Sequence, residues 1–204
     1  MSSTFFANFK SLEDFERRPD VAEEYFYLMA KALSHAPAPF LMTPDGSRVL
    51  VDAGVTGLRL QHRDAQKGIL MFFEKLIRVP NSDELMRSCA SCGIQDVTVC
   101  QSAAKVLILQ CGAPLVATLC ASLAGVTRAY ALDEENGCAG DVLWNIKLQF
   151  PTELQGWLAQ AVATFPPMAQ MHAAKMNFTS ALLVATSKRD FLRTMDQLLW
   201  KCTR

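Results

Sequence analysis

The feature that most constrains the fold is a helical spacing of apolar residues that recurs along the whole chain. In the segment that begins at Asp64, the apolar side chains fall on one helical face; they are Ile69, Phe72, Phe73, Leu76 and Ile77. Similar stripes run through residues 21–32, 154–165 and 191–202. No stretch alternates apolar and polar residues for long enough to predict a strand. The sequence therefore predicts an all-α protein.

The predicted helices come in pairs that are separated by longer links. The pairs begin about 35 to 50 residues apart, which is the period of tandem two-helix repeats such as HEAT repeats. An amphipathic helix hides its apolar stripe only by packing on a neighbour, so such pairs stack into one elongated core. We predict a HEAT-like α–α superhelical solenoid of about five antiparallel helix pairs. The pairs span residues 4–36, 45–79, 96–128, 137–165 and 172–203.

Charge argues against a nucleic-acid surface. The 204 residues include 20 Lys plus Arg and 20 Asp plus Glu, so the formal net charge is zero. Basic residues are never denser than the neighbours Arg17 and Arg18, or Lys188 and Arg189. A nucleic-acid-binding surface concentrates basic residues on one face. We therefore expect no direct nucleic-acid partner.

One uncharged segment is long enough to raise the question of a membrane span. Residues 106–127 contain no Asp, Glu, Lys or Arg, and about 20 apolar residues suffice to cross a bilayer. Polar residues and helix breakers interrupt the run, and Gly112, Ala113 and Pro114 together are typical of a break between two helices. We expect a buried helix pair here, and no membrane partner.

The seven cysteines are an odd number and lie mostly in apolar helical sequence, which is typical of reduced thiols in a cytosolic or nuclear protein. They are Cys89, Cys92, Cys100, Cys111, Cys120, Cys138 and Cys202. Zinc at the single CxxC of Cys89 and Cys92 would need two more ligands, and His35, His62 and His172 are scattered. A redox pair would need a βαβ setting. We expect a plain link there, seven free thiols, no metal and no cofactor.

Four residues are predicted to cap helices. Asp20 precedes the stripe of residues 21–32, and His62, Arg63 and Asp64 precede the stripe that begins at Ile69. His and Asp also serve as acid–base groups, but no motif places a nucleophile or a phosphate-binding loop beside them. An N-cap Asp is worth about 1 kcal/mol, which is sufficient reason for its presence. We therefore expect structural roles and no enzymatic activity.

The densest acidic cluster comprises Asp133, Glu134 and Glu135. Such clusters are usually solvated loops, but proteins that bind basic partners also present them. The cluster is the candidate partner-binding site of the chain. The tryptophans Trp144, Trp157 and Trp200 fall in helical stripes, so we expect them to pack in the core.

Several segments together resemble one family. Residues 60–77 contain an L-x-H-R-D-A motif that leads into a helix ending in Phe-x-x-x-Leu-Ile, and residues 18–28 contain Pro-Asp followed by Phe-x-Leu. Downstream, residues 141–158 and 191–200 continue the pattern in the same order and spacing. In these segments the chain resembles the importin-beta superfamily of nuclear transport receptors, in the branch that contains transportin-SR and importin-13.

The resemblance implies the C-terminal arch of a longer HEAT-repeat receptor. Such a receptor binds protein cargo and carries it through the nuclear pore under the control of the GTPase Ran, shuttling between cytoplasm and nucleus. Ran and nucleoporins would be partners through the intact receptor. The alternative is a helical-repeat scaffold for protein–protein interaction without a transport role, which shares every periodicity argument. An enzyme is the third possibility, because no set of catalytic groups assembles from the sequence.

Overall fold

The computed structural model describes residues 11–124 and 139–202, and these contain twelve α-helices and no strand. The helices are α1 (Leu12–Arg17), α2 (Pro19–His35), α3 (Pro37–Leu41), α4 (Pro44–Gly57), α5 (Arg63–Arg78), α6 (Asp83–Ser91), α7 (Val97–Leu123), α8 (Ala139–Gln149), α9 (Pro151–Ala163), α10 (Pro167–Lys175), α11 (Phe178–Val184) and α12 (Lys188–Cys202). The predicted fold class is confirmed: the chain is all-α and HEAT-like.

Eight helices form two rows. In the first row α1 packs on α4, α4 on α7 and α7 on α9. In the second row α2 packs on α5, α5 on α8 and α8 on α12. Contacts between the rows include α1 with α2, α4 with α5 and α8 with α9. This arrangement is that of stacked helix pairs, in which each helix contacts its equivalents in the neighbouring pairs.

The first two helices of the second row, α2 and α5, run in the same direction. Near its start, α2 brings the carbonyl oxygen of Glu23 to within 3.0 Å of the position that a Cβ on Gly68 of α5 would occupy. At the other end, His35 of α2 and Arg78 of α5 line one cavity. The helices are therefore parallel, as successive copies of one repeat must be.

Phenylalanines fill the space between the first two pairs. Phe26 and Phe72 are fully buried, with ring centroids 5.6 Å apart. Phe73 is also fully buried, and its centroid lies 5.3 Å from that of Phe72. The edge-on contact between Phe26 and Phe72 joins α2 to α5, and the burial of Phe72 and Phe73 agrees with the predicted stripe on α5.

The predicted start of α2 was wrong by two residues. Arg18 is the N-cap and Pro19 is the first helical residue, whereas Asp20 lies within the first turn. Proline suits this position because its fixed φ is helical and the first N–H has no intrahelical partner in any case. Asp20 does not cap, but its carboxylate is placed favourably at the positive end of the helix dipole.

The predicted break at residues 112–114 was also wrong. The helix α7 is continuous from Val97 to Leu123, with Pro114 inside it. The pair expected over 96–128 is therefore a single helix in the described residues. By length and composition alone Val97–Ser122 would suffice to cross a membrane, but 56 % of its most apolar window is buried within the protein.

The predicted plain link between residues 80 and 95 contains a helix. Ser82 caps α6 by accepting a hydrogen bond from the backbone N–H of Leu85 at 3.2 Å. Leu85 and Cys89 are fully buried, so one face of this short helix belongs to the core. At its end, Gly93 has a φ of 71°, a left-handed conformation that glycine adopts without strain.

Candidate partner-binding surface

The predicted partner-binding cluster lies outside the described residues. Asp133, Glu134 and Glu135 all fall between residues 124 and 139, where the described part of the chain is interrupted. Their role as a partner-binding site therefore stays a prediction.

His62 is the N-cap of α5. Its Nδ1 accepts a hydrogen bond from the backbone N–H of Ala65 at 3.3 Å, and its backbone is extended. Arg63 is the first helical residue, and Asp64 follows it in the first turn. The prediction that Asp64 is the N-cap was wrong, because the imidazole of His62 already satisfies the third N–H of the helix.

A group of carboxylates gathers where α2 and α5 begin. Asp20, Glu23 and Glu24 of α2 and Asp64 of α5 are close enough to act on one another. Desolvation by burial raises the pKa of Glu23, and the charges of Asp64 and Glu24 raise it further, whereas His62 acts in the opposite sense. Burial and the charges of Glu23, Asp64 and Glu24 also raise the pKa of Tyr27. We call these four carboxylates the acidic end of α2 and α5.

The acidic end is not visible along the chain, because Asp64 lies about 40 residues after the other three carboxylates, a separation typical of one repeat. The signal that could have revealed it is an acidic residue that recurs at the start of successive helices. Asp20 and Asp64 both lie in the first turn of a second-row helix, so parallel stacking places them at equivalent positions in neighbouring pairs.

An open polar cavity lies at the opposite end of α2 and α5. Its volume is about 560 Å³, and it lies between the C-terminal ends of α2 and α5 and the start of α6. A second cavity of about 440 Å³ continues along α6. Both are lined by Ser34, His35 and Glu84.

The charges that line these cavities are locally compensated. Arg78 and Lys75 approach Glu74 at 3.2 and 3.9 Å. Arg87 pairs with Glu84 at 3.1 Å. Because each cation has a nearby carboxylate, the cavities do not have the excess positive charge that would select an anion.

Two of the three tryptophans pack against other helices. Trp144 of α8 is partly buried, and its ring centroid lies 5.4 Å from that of Phe191 in α12. The ammonium of Lys147 sits 5.0 Å from the Trp144 ring and donates a hydrogen bond to the carbonyl oxygen of Ala185. Trp157 is also partly buried, but Trp200 is 57 % exposed, contrary to the expected core position.

The described cysteines are free thiols with contrasting surroundings. Burial raises the pKa of Cys111 and of Cys120 to about 12. Burial and the neighbouring thiol of Cys89 raise the pKa of Cys100 to about 11. Cys92 is exposed. Within residues 11–124 and 139–202, no group of three or more His, Cys, Asp or Glu residues is arranged to hold a metal.

The geometry places the chain among all-α proteins built from stacked helix pairs. Its sequence is similar to Transportin MOS14 from Arabidopsis thaliana, with 26 % identity over 175 residues. The aligned region covers 84 % of this chain and 16 % of that transportin. No protein-family model matches the chain. The similarity supports the importin-beta/transportin family.

Proposed function

We propose that this chain is the C-terminal arch of a nuclear transport receptor, of the transportin-SR and importin-13 branch of the importin-beta superfamily. The observation that carries the proposal is the extent of the similarity to a transportin, which runs through 84 % of the chain. Similarity of that extent spans most of the helical stack and cannot come from a single short motif. The parallel packing of α2 on α5 is the arrangement that a HEAT-repeat receptor requires.

The proposed work is binding and release of protein cargo, without catalysis and without a cofactor. Stacked repeats contact only their neighbours, so small shifts at each helix junction add up to a change in curvature. On the intact receptor, Ran-GTP would bias that curvature and thereby change the affinity for cargo. The receptor would shuttle between cytoplasm and nucleus and contact nucleoporins, with no direct nucleic-acid or membrane partner.

The test uses the native polypeptide that contains this sequence, captured through an affinity tag. Cell extract is applied with Ran locked in its GTP form, with Ran-GDP as the matched control. We expect the bound proteins to change with Ran-GTP: release marks an import receptor, and binding that needs Ran-GTP marks an export receptor. An unchanged set, with no Ran retained, would contradict the proposal and favour a scaffold without a transport role.

The isolated chain gives a second, independent comparison. In the family, the repeats that bind Ran first are N-terminal, so they lie outside the region proposed here. We therefore expect this chain alone to bind Ran-GTP weakly or not at all, while the native polypeptide binds it. Equal affinity of the two would contradict assignment of the chain to the C-terminal arch.

A further inference from the structure

Three thiols meet where α6 ends and α7 begins. Cys89 lies in the last turn of α6 and is fully buried, whereas Cys92 is the C-cap residue of that helix and is exposed. Cys100 lies in the first turn of α7, is fully buried, and is a neighbour of Cys89. The proposed transport function uses none of them.

The backbone holds Cys89 and Cys92 one helical turn apart. The N–H of Cys92 donates a hydrogen bond to the carbonyl oxygen of Cys89 at 3.1 Å. The N–H of Ile94 donates to the same oxygen at 2.9 Å, and the N–H of Gly93 donates to that of Ala90 at 3.2 Å. This is the Schellman pattern of a helix C-terminus, and it fixes the turn that carries both cysteines.

That spacing suits a disulfide. Helix geometry places the Cα atoms of residues i and i+3 about 5 Å apart. Disulfides span Cα separations of about 4.4 to 6.8 Å. Cys89 and Cys92 can therefore be joined without separating α6 from α7.

The two thiols also differ in access, which sets an order of reaction. A small disulfide can reach Cys92 from solvent but cannot reach Cys89 directly, because Cys89 is fully buried. Thiol–disulfide exchange proceeds through a mixed disulfide that a second thiol of the protein can resolve. The second step is intramolecular, so it does not require the small disulfide to enter the core.

We propose that Cys92 and Cys89 form an oxidisable dithiol that exchanges with low-molecular-weight disulfides, of which glutathione disulfide is the probe. The Cys92 thiolate attacks one sulfur of the probe, forming a mixed disulfide and releasing one glutathione thiolate. The Cys89 thiolate then attacks the sulfur of Cys92, forming the protein disulfide and releasing the second glutathione. Two thiols are oxidised, one glutathione disulfide is reduced, and the two protons pass to the released thiolates.

Cys100 is the competing resolving thiol, and its position in the fold disfavours it. It is fully buried, as Cys89 is, so burial does not distinguish the two. Cys100 belongs to a different helix from Cys92, whereas the hydrogen bonds of the helix end hold Cys92 one turn after Cys89.

The test maps the oxidised thiols in the full chain carrying Cys138→Ser, so that only thiols of the described residues are compared. The protein is treated with glutathione disulfide, denatured, alkylated without reductant and cleaved before aspartates. Cleavage at Asp83 and Asp96 gives a peptide of residues 83–95, which contains Cys89 and Cys92 but not Cys100. Mass spectrometry of this peptide then separates the two pairings.

We expect peptide 83–95 to carry no alkyl group. Its mass should be lower than that of the reduced, unmodified peptide by two hydrogens. Cys92→Ser should leave Cys89 fully alkylated, and Cys89→Ala should stop the reaction at a glutathione adduct on Cys92. Cys202→Ser is the matched control and should leave the disulfide unchanged, because Cys202 has no cysteine within one helical turn. A peptide with both cysteines alkylated after treatment would overturn the proposal. So would a cross-link to the peptide that begins at Asp96, or a persistent adduct in the parent.

Discussion

The ring of Trp157 in α9 occupies the space that a side chain at Gly112 in α7 would need. A Cβ on Gly112 would lie 2.1 Å from Cη2, 2.4 Å from Cζ3 and 2.5 Å from Cζ2 of that ring. Non-bonded carbon atoms do not approach so closely. The close crossing of α7 and α9 therefore depends on the absence of a side chain at Gly112. Gly112 is therefore a contact residue and not a helix terminator.

The first prediction concerns this contact. We expect Gly112→Ala to destabilise the fold by about 1–3 kcal/mol, because the added methyl group must displace the Trp157 ring. The free energy of unfolding from urea titration measures the loss. Gly112→Ala combined with Trp157→Leu should recover part of it, because the shorter side chain frees the space.

Gly156 provides the matched control for this prediction. It also lies inside a helix, but a Cβ added there would meet no atom within 4 Å. We expect Gly156→Ala to stabilise the fold by about 0.5–1 kcal/mol, because alanine loses less backbone entropy on folding. If both alanine variants stabilise the protein, the α7–α9 contact does not have the geometry described.

This contact shows why part of the fold could not be predicted from the sequence. A glycine before a proline signals a helix end when only neighbours in sequence are considered. The helix continues through this segment, and its neighbour α9 packs against Gly112. The decisive contact is about 45 residues away, beyond any local pattern.

The apolar stripe of α5 was predicted more reliably than that of α2. The stripe expected over residues 21–32 was placed on the wrong face, because Val21 and Leu28 are exposed and the buried side chains are Ala22, Phe26, Ala30 and Leu33. Ile69, Phe73 and Leu76 lie on the predicted face of α5, and all three are fully buried. The acidic end could not be predicted in the same way. It depends on the parallel packing of α2 on α5, which periodicity along one helix does not specify.

The second prediction tests the α5 stripe. Phe73→Ala should reduce the free energy of unfolding by about 3–5 kcal/mol, because it leaves a cavity beside Phe72 in a fully buried site. Leu28→Ala on α2 is the control, because Leu28 is 57 % exposed, and it should cost less than about 0.5 kcal/mol. Chemical denaturation measures both. A loss below about 1 kcal/mol for Phe73→Ala would mean that the stripe faces solvent.

The third prediction concerns Glu23. Burial and the neighbouring carboxylates raise its pKa in the folded state. The folded state therefore holds the Glu23 proton more tightly than the unfolded state, so this contribution to stability is present at low pH and is lost as pH rises through the folded-state pKa. Glu23→Gln should consequently stabilise the protein at pH 7, by about 0.2–0.5 kcal/mol.

The stability advantage of Glu23→Gln should vanish near pH 3, where the parent carboxyl is itself protonated. Urea titrations at both pH values measure the difference in free energy of unfolding. Glu16→Gln on α1 is the control and should show no comparable gain at pH 7. An advantage that is independent of pH would show that the carboxylates of the acidic end do not repel one another.

The fourth prediction concerns the cap of α5. His62→Ala removes the acceptor for the N–H of Ala65 and should cost about 1 kcal/mol, whereas His62→Asn should retain most of the stability, because asparagine is a good N-cap residue. Thermal and urea unfolding measure both variants. Equal losses for the two would mean that the hydrogen bond from Ala65 does not stabilise the helix.

The last prediction compares the two acidic groups as contacts for a basic partner. Asp133, Glu134 and Glu135 form the densest acidic run in the sequence, and charges at the rim of an interface mainly set the association rate and its salt dependence. On the proposed receptor, replacing all three by Ser should slow capture of basic cargo, most clearly at low salt, because the Debye length is about 10 Å at 0.1 M ionic strength and longer below it. Association rates measured at two salt concentrations test this.

The matched control removes the same number of charges at the acidic end of α2 and α5, as Asp20→Ser, Glu24→Ser and Asp64→Ser. If capture depends only on net charge, both triple variants should slow association equally. If it depends on the segment at residues 133–135, only the first variant should do so. Capture of cargo by the first variant as fast as by the parent at low salt would show that this cluster is an ordinary solvated segment, and that the contact surface lies elsewhere on the stack.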